Sequence, residues 1–110
     1  MHMEFAGFFP ANNIYIKIMI TFSPAKRAAN LRKHGLDLVI AEEVLAGFTI
    51  SREDTREAYG EPRLQTLGVY RGLVVVVVVH TPRGEADHII SIRKADTHEA
   101  RYYWQHHPGE

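Results

Sequence analysis

The chain has 110 residues, 45% hydrophobic and 24% charged, which suffices for one hydrophobic core, is too short for two ordinary domains and argues against disorder. It contains no cysteine, which excludes disulfides, zinc–thiolate sites and a thiol nucleophile together and is compatible with a reducing compartment. Thirteen Lys and Arg balance thirteen Asp and Glu, so any affinity for nucleic acid must come from local clustering and not from net charge. Clustering is present. Residues 24–34 hold Lys26, Arg27, Arg32, Lys33 and His34 with no acid, whereas residues 42–61 hold six acids against two arginines.

Met1–Pro10 has a short apolar stretch with no Lys or Arg before it, which does not fit a secretory signal, so a cytoplasmic location is expected. Residues 1–18 read as an N-terminal extension, non-native or poorly ordered, ahead of a single domain over residues 19–110, and Met19 offers an alternative start. Ile14–Phe22 predicts a first strand; Ser23-Pro24 then supplies a helix N-cap and a proline suited to the first turn. That helix should run to His34 and stop at Gly35, with Lys33 and His34 at the negative end of its dipole. A second helix is predicted over Asp37–Ala46, with Leu38, Ala41, Val44 and Leu45 on one stripe and Gly47 closing it.

Arg63–Tyr70 reads as a strand, Arg71-Gly72 as a tight turn and Leu73–Thr81 as the hairpin partner, with room for a short extra strand at Phe48–Ser51. The six consecutive valines Val74–Val79 fall far short of the roughly 20 apolar residues that a membrane-spanning helix needs. They predict a strand near the sheet centre, covered on both faces. After a turn at Pro82–Asp87, His88–Ala95 is a further strand, and Asp96 with Glu99 matches a capping box that opens a helix through His106. The order β-α-α-β-β-β-α predicts an α+β fold: a small antiparallel sheet with two N-terminal helices and a C-terminal helix, the helices packed on one face.

Strand parity says which side chains reach the opposite, open face. Over His88–Lys94, the set Ile89, Ser91 and Arg93 shares one face, while His88, Ile90, Ile92 and Lys94 share the other; the serine–arginine face reads as the open one. Arg63 has the parity of Gln65, Leu67 and Val69, so Arg63 and Arg93 can converge there. The alternative is that both are solvated charges paired with Glu57, Glu61 or Glu85. No H-x-x-x-H pair occurs among the seven histidines and no carboxylate-rich ligand set accompanies them, so neither a metal nor a cofactor is expected. A P-loop, a G-x-S-x-G elbow and a dinucleotide fingerprint are also missing, which disfavours a nucleotide-binding enzyme.

The run Phe22, Lys26, Asn30, Lys33-His34-Gly35, then Glu61-x-Arg63 and Gly68, then Thr81-x-Arg83 and Ile89-Ile90-Ser91-x-Arg93-Lys94-Ala95, with Glu99 and Tyr103, resembles the BrnT toxin family. The resemblance spans nearly all of residues 19–103. It implies a bacterial type II toxin with a RelE-like ribonuclease fold, acting on RNA and forming a hetero-oligomer with a DNA-binding, BrnA-like antitoxin, without contacting DNA or membrane itself. Two positions depart from the family pattern: Phe22-Ser23 stands where Trp-Asp is usual, and His88 where arginine is usual. Phe22 still fills an apolar site and Ser23 still caps a helix. His88 could replace a structural cation, act as an acid or base, or mark a weakened enzyme; parity, which places it on the helix side, favours a structural role.

Metal-independent RNA cleavage requires a deprotonated 2′-hydroxyl, stabilised charge on the pentavalent phosphate and a protonated leaving 5′-oxygen. A guanidinium presents two parallel donors to a phosphate, so Arg93 and Arg63 are the candidates for transition-state stabilisation and Arg83 for binding or the same task. Lys94 points the other way by parity but sits at a strand end, which keeps it a candidate. His34 has a suitable pKa for acid–base work, although a histidine at a helix C-terminus is also explained by the dipole. Lys26, Lys33 and Tyr103 are candidate RNA contacts, with packing as the alternative for Tyr103. Two functions follow: an endoribonuclease toxin that arrests growth, or a catalytically weak subunit that binds the antitoxin and tunes repression of a shared promoter.

Overall fold

Val74–Val79 lies inside the longest strand of a five-stranded sheet, and the computed structural model, which describes residues 18–109, builds its layers around that strand. The elements in chain order are β1 (Ile20–Thr21), α1 (Pro24–His34), a 3-10 turn (Leu38–Ile40), α2 (Ala41–Ala46), β2 (Ile50–Glu53), β3 (Leu64–Tyr70), β4 (Val74–Arg83), β5 (Ala86–Lys94) and α3 (Thr97–His106). The sheet order is β1-β5-β4-β3-β2. Its pairings are antiparallel except for the short parallel pairing of β1 with β5. No helix among the described residues is long and apolar enough to cross a membrane.

Local signals set most element ends. The Ser23 side chain accepts from the Lys26 N–H, Pro24 opens α1, and Gly35 closes it at φ 70, its own N–H donating to the Leu31 carbonyl. Asp96 and Glu99 form both halves of the capping box that opens α3. The helix predicted over Asp37–Ala46 divides instead: the Asp37 carboxylate accepts from the Val39 N–H and starts a 3-10 turn, which passes into α2 at Ala41. Gly47 ends α2 in an extended conformation. The predicted first strand is seen at Ile20–Thr21, and its residues before 18, like the rest of the predicted N-terminal extension, lie outside the described residues.

One face of the sheet packs Val76, Val78, Ile89 and Ile92 against Leu38, Ala41 and Val44, all essentially free of solvent. Each of the Val, Leu and Ile side chains contributes about 1.5–3 kcal/mol on burial. Gly68 lets α2 approach β3, because a Cβ there would lie 2.6 Å from the Val44 Cγ1. The expectation that all helices share this face is corrected: α3 packs on the opposite face, where Tyr103 is buried with Ile50 and Val75. What fixes it is distant in sequence, the Tyr103 hydroxyl donating to the Phe48 carbonyl at 2.8 Å.

A bulge corrects the parity of β5. Val79 pairs with Ser91 and His80 with Ile89, which leaves Ile90 unmatched and reverses the alternation on its N-terminal side. Ile89 therefore joins Ile92 in the helix-side core, and His88 moves to the face of Ser91 and Arg93. On the side of α1 and α2 the buried His80 lies in the middle of a chain of hydrogen bonds. Asp87 Oδ1 lies 2.7 Å from His80 Nδ1, His80 Nε2 lies 2.6 Å from Thr66 Oγ1, and Thr66 Oγ1 lies 2.7 Å from Ser51 Oγ. A carboxylate only accepts, so His80 Nδ1 carries a proton towards Asp87.

Candidate active site

Arg93 projects from β5 onto the face that α3 partly covers, and Glu99 of the first turn of α3 meets it. Nη1 and Nη2 donate to Oε1 and Oε2, both at 2.9 Å, a parallel two-bond pair. Hydrogen bonding to Arg93 holds the Glu99 carboxyl below its usual range, and Glu99 in turn raises the Arg93 guanidinium. Oε1 also accepts from the Asp96 N–H, whereas Oε2 serves Arg93 alone among the described residues. Oε2 therefore keeps a lone pair open.

Beside this pair lies a cavity of about 490 Å³ between the edge of the sheet and α3. Ile50 and Leu67 give it apolar surface, and Arg52, Gln65, His98, Glu99 and Tyr102 give it polar and aromatic groups. Arg52 pairs with Gln65 across β2 and β3, its Nε donating to the Gln65 Oε1 at 3.0 Å. Its charge also reaches Glu99. Arg56 acts electrostatically on Arg93 while gripping Asp54 through two bonds of 2.8 and 2.7 Å. Chiefly through that grip, Asp54 titrates at about 2. The region is rich in guanidinium groups although the chain is neutral overall.

Arg63 and Arg93 are on the same side of the sheet, yet they do not converge. Arg93 is in register with Val77 and Leu67, so Arg63 lies two strands across and four residues along. That separates the two backbones by roughly 16 Å. Arg63 stacks over Tyr59 with its guanidinium carbon 3.7 Å from the ring centroid, and its buried Nε has no hydrogen-bond partner among the described residues. Arg83 pairs with Glu61 at 3.2 Å, and both act electrostatically on His88. Burial, then Arg83, lowers the His88 pKa; its Nδ1 lies 2.8 Å from the Thr21 hydroxyl.

The remaining expected residues lie elsewhere. Lys26, Lys33 and His34 are exposed on α1, which packs on the face opposite Arg93. Lys94 is exposed at the end of β5 with the parity of the helix side, paired with Val76. Tyr103 is fully buried with its hydroxyl bonded to Phe48, which corrects its expected contact with RNA. Its neighbour Tyr102 is 42% exposed and lines the cavity. Sequence reasoning also passed over Arg52, Arg56 and His98. Carrying the short extra strand past Ser51 would have found Arg52 opposite Gln65; His98 carried no local signal beyond its place in the capped first turn of α3. Among the described residues, no three of His, Asp and Glu gather as metal ligands would.

Residues 22–99 match the model of a family described as the ribonuclease toxin, BrnT, of type II toxin–antitoxin systems. The 1.1 Å crystal structure of the Brucella abortus ribonuclease toxin, BrnT, is similar to this chain with a TM-score of 0.55 and 30% sequence identity, over 73% of this chain and 99% of that one. No curated protein matches.

Proposed function

We propose, from the premise that this chain belongs to the BrnT family of ribonuclease toxins of type II toxin–antitoxin systems, that it is a metal-independent endoribonuclease whose active site is the cavity beside Arg93. The observation that carries this reading is the Arg93–Glu99 pair, whose Glu99 lines a cleft large enough for a nucleotide together with Arg52 and His98. Glu99 Oε2 takes the proton of the 2′-hydroxyl, and the 2′-oxygen forms a bond to phosphorus. Arg93 and Arg52 stabilise the added charge on the phosphoryl oxygens. The bond from phosphorus to the 5′-oxygen breaks, and His98, as the general acid, gives that oxygen its proton. The products are a 2′,3′-cyclic phosphate and a 5′-hydroxyl. Arg63 and Arg83, farther along the same side, bind the continuing phosphate backbone.

The chain acts in the cytoplasm and arrests growth until a BrnA-like antitoxin, itself the DNA-binding partner, covers the arginine-lined face. Charge complementarity favours acidic antitoxin residues there and against the basic side of α1. One observation favours the second reading, an antitoxin-binding co-repressor of weak activity: Arg93 already has an internal carboxylate partner. End-group analysis of cleaved RNA separates the two readings. Cyclic phosphate ends, lost when the substrate carries a 2′-deoxy sugar at the cut, support the nuclease; intact RNA supports the co-repressor.

A further inference from the structure

We propose that the cavity between β2, β3 and α3 reads one base of single-stranded RNA and prefers guanine; this rests on the ribonuclease reading for its biological substrate. The volume, about 490 Å³, is in the range of small-molecule sites. Ile50 and Leu67 offer apolar surface, and the exposed ring of Tyr102 offers a face on which a base can stack.

The polar groups decide which base. Gln65 is only 9% exposed, and its amide orientation follows from its partner: the Arg52 Nε can only donate, so Oε1 faces Arg52. The amide nitrogen is the other end, and among the described residues it has no hydrogen-bond acceptor. Open to the cleft and without a protein acceptor, this donor pair can take an acceptor from a ligand. Arg52 adds its terminal N–H groups, since the Gln65 bond uses Nε alone. On the other wall Glu99 Oε1 takes Arg93 and the Asp96 N–H, and Oε2 takes Arg93 with one lone pair left open. The recognition wall of Gln65 and Arg52 is rich in donors. Guanine presents two adjacent acceptors, N7 and O6, on one edge, while adenine places an amino donor where guanine has O6. Guanine satisfies Gln65 and Arg52 together, and adenine sets a donor against donors.

Titration of the full chain with 5′-GMP and with 5′-AMP, followed by backbone amide shifts, tests this directly. The wild type should bind GMP about tenfold more tightly than AMP, with the largest shifts at Gln65, Leu67 and Tyr102. Gln65→Leu should abolish the difference. Because that side chain is buried, Tyr102→Ala and Tyr102→Phe provide an independent check at an exposed position: Ala should weaken both nucleotides by about tenfold and Phe should restore them. Equal affinity for GMP and AMP, or shifts confined to residues away from the cavity, would overturn the proposal. Cut sites mapped on RNA separate it from the ribonuclease reading. Cleavage without preference for guanine sinks the base pocket and leaves the nuclease, whereas selective GMP binding without cleavage keeps the pocket and sinks the nuclease.

Discussion

Glu99 holds Arg93 by two parallel bonds of 2.9 Å and, through the same carboxylate, accepts the Asp96 N–H that opens α3. One side chain thus ties the start of the helix to the Arg93 cation beside the cleft. With the Arg93 and Glu99 side chains 36% and 19% exposed, water screens the pair only in part. A phosphate arriving at Arg93 competes with Glu99 for donors and also finds the guanidinium held in position.

Glu99→Gln separates these effects. Binding of a non-cleavable 2′-deoxy RNA should tighten several-fold, because Arg93 loses its internal anion. Single-turnover cleavage should fall by roughly 10² to 10⁴, because the proton acceptor is lost. A merely structural Glu99 would weaken both together.

At Gly68 the fold has no room for a side chain, since a Cβ would lie 2.6 Å from the Val44 Cγ1 and 3.2 Å from its carbonyl oxygen. Gly68→Ala should lower the free energy of unfolding by about 1–3 kcal/mol in urea titration. An unchanged midpoint would mean that α2 moves away freely.

His80 links Asp87 to Thr66 in the helix-side layer. His80→Ala would leave both without that partner and open a cavity at this buried position, at a cost of about 2–4 kcal/mol. Thermal unfolding of the variant measures it, and a loss under about 0.5 kcal/mol would show the chain of hydrogen bonds to be dispensable.

Asp54 titrates at about 2 in the fold against an ordinary 3.8, chiefly because Arg56 hydrogen-bonds to its carboxylate. The unfolded chain therefore binds the proton first as pH falls, so this contribution is complete above about pH 4 and disappears on the way down to about pH 2. The Asp37 and Glu99 carboxyls, lowered by Arg27 and Arg93 respectively, act in the same direction. Asp54→Asn should be less stable than wild type at neutral pH, and the difference should narrow through that acid window. A difference that stays constant with pH would contradict the assignment.

The parts of the fold legible in the sequence are those with local causes. Ser23, Gly35 and the Asp96–Glu99 box act within a few residues of themselves, and the valine run marks the sheet centre by composition alone. Parity places Arg93 on the face away from α1, because no irregularity lies between it and Ser91. Parity fails for His88, since the unmatched Ile90 is an ordinary β-branched residue with no glycine to signal a bulge. It is incomplete for Arg63 because alternation fixes the face and says nothing of distance, and it is Arg52 that lines the cavity with Glu99. Tyr103 is buried and its neighbour Tyr102 lines the cavity because α3 takes its docking face from Phe48 and Ile50, far away in sequence.

The most direct test incubates labelled RNA in excess EDTA with the wild type, Arg93→Ala and Arg93→Lys, each checked for equal unfolding temperature. Wild-type cleavage that falls by roughly 10² to 10³ in Arg93→Ala, with Lys restoring little because it lacks the two-donor fork, is the predicted result. Full cleavage by Arg93→Ala, or wild-type cleavage that vanishes with EDTA, would contradict it.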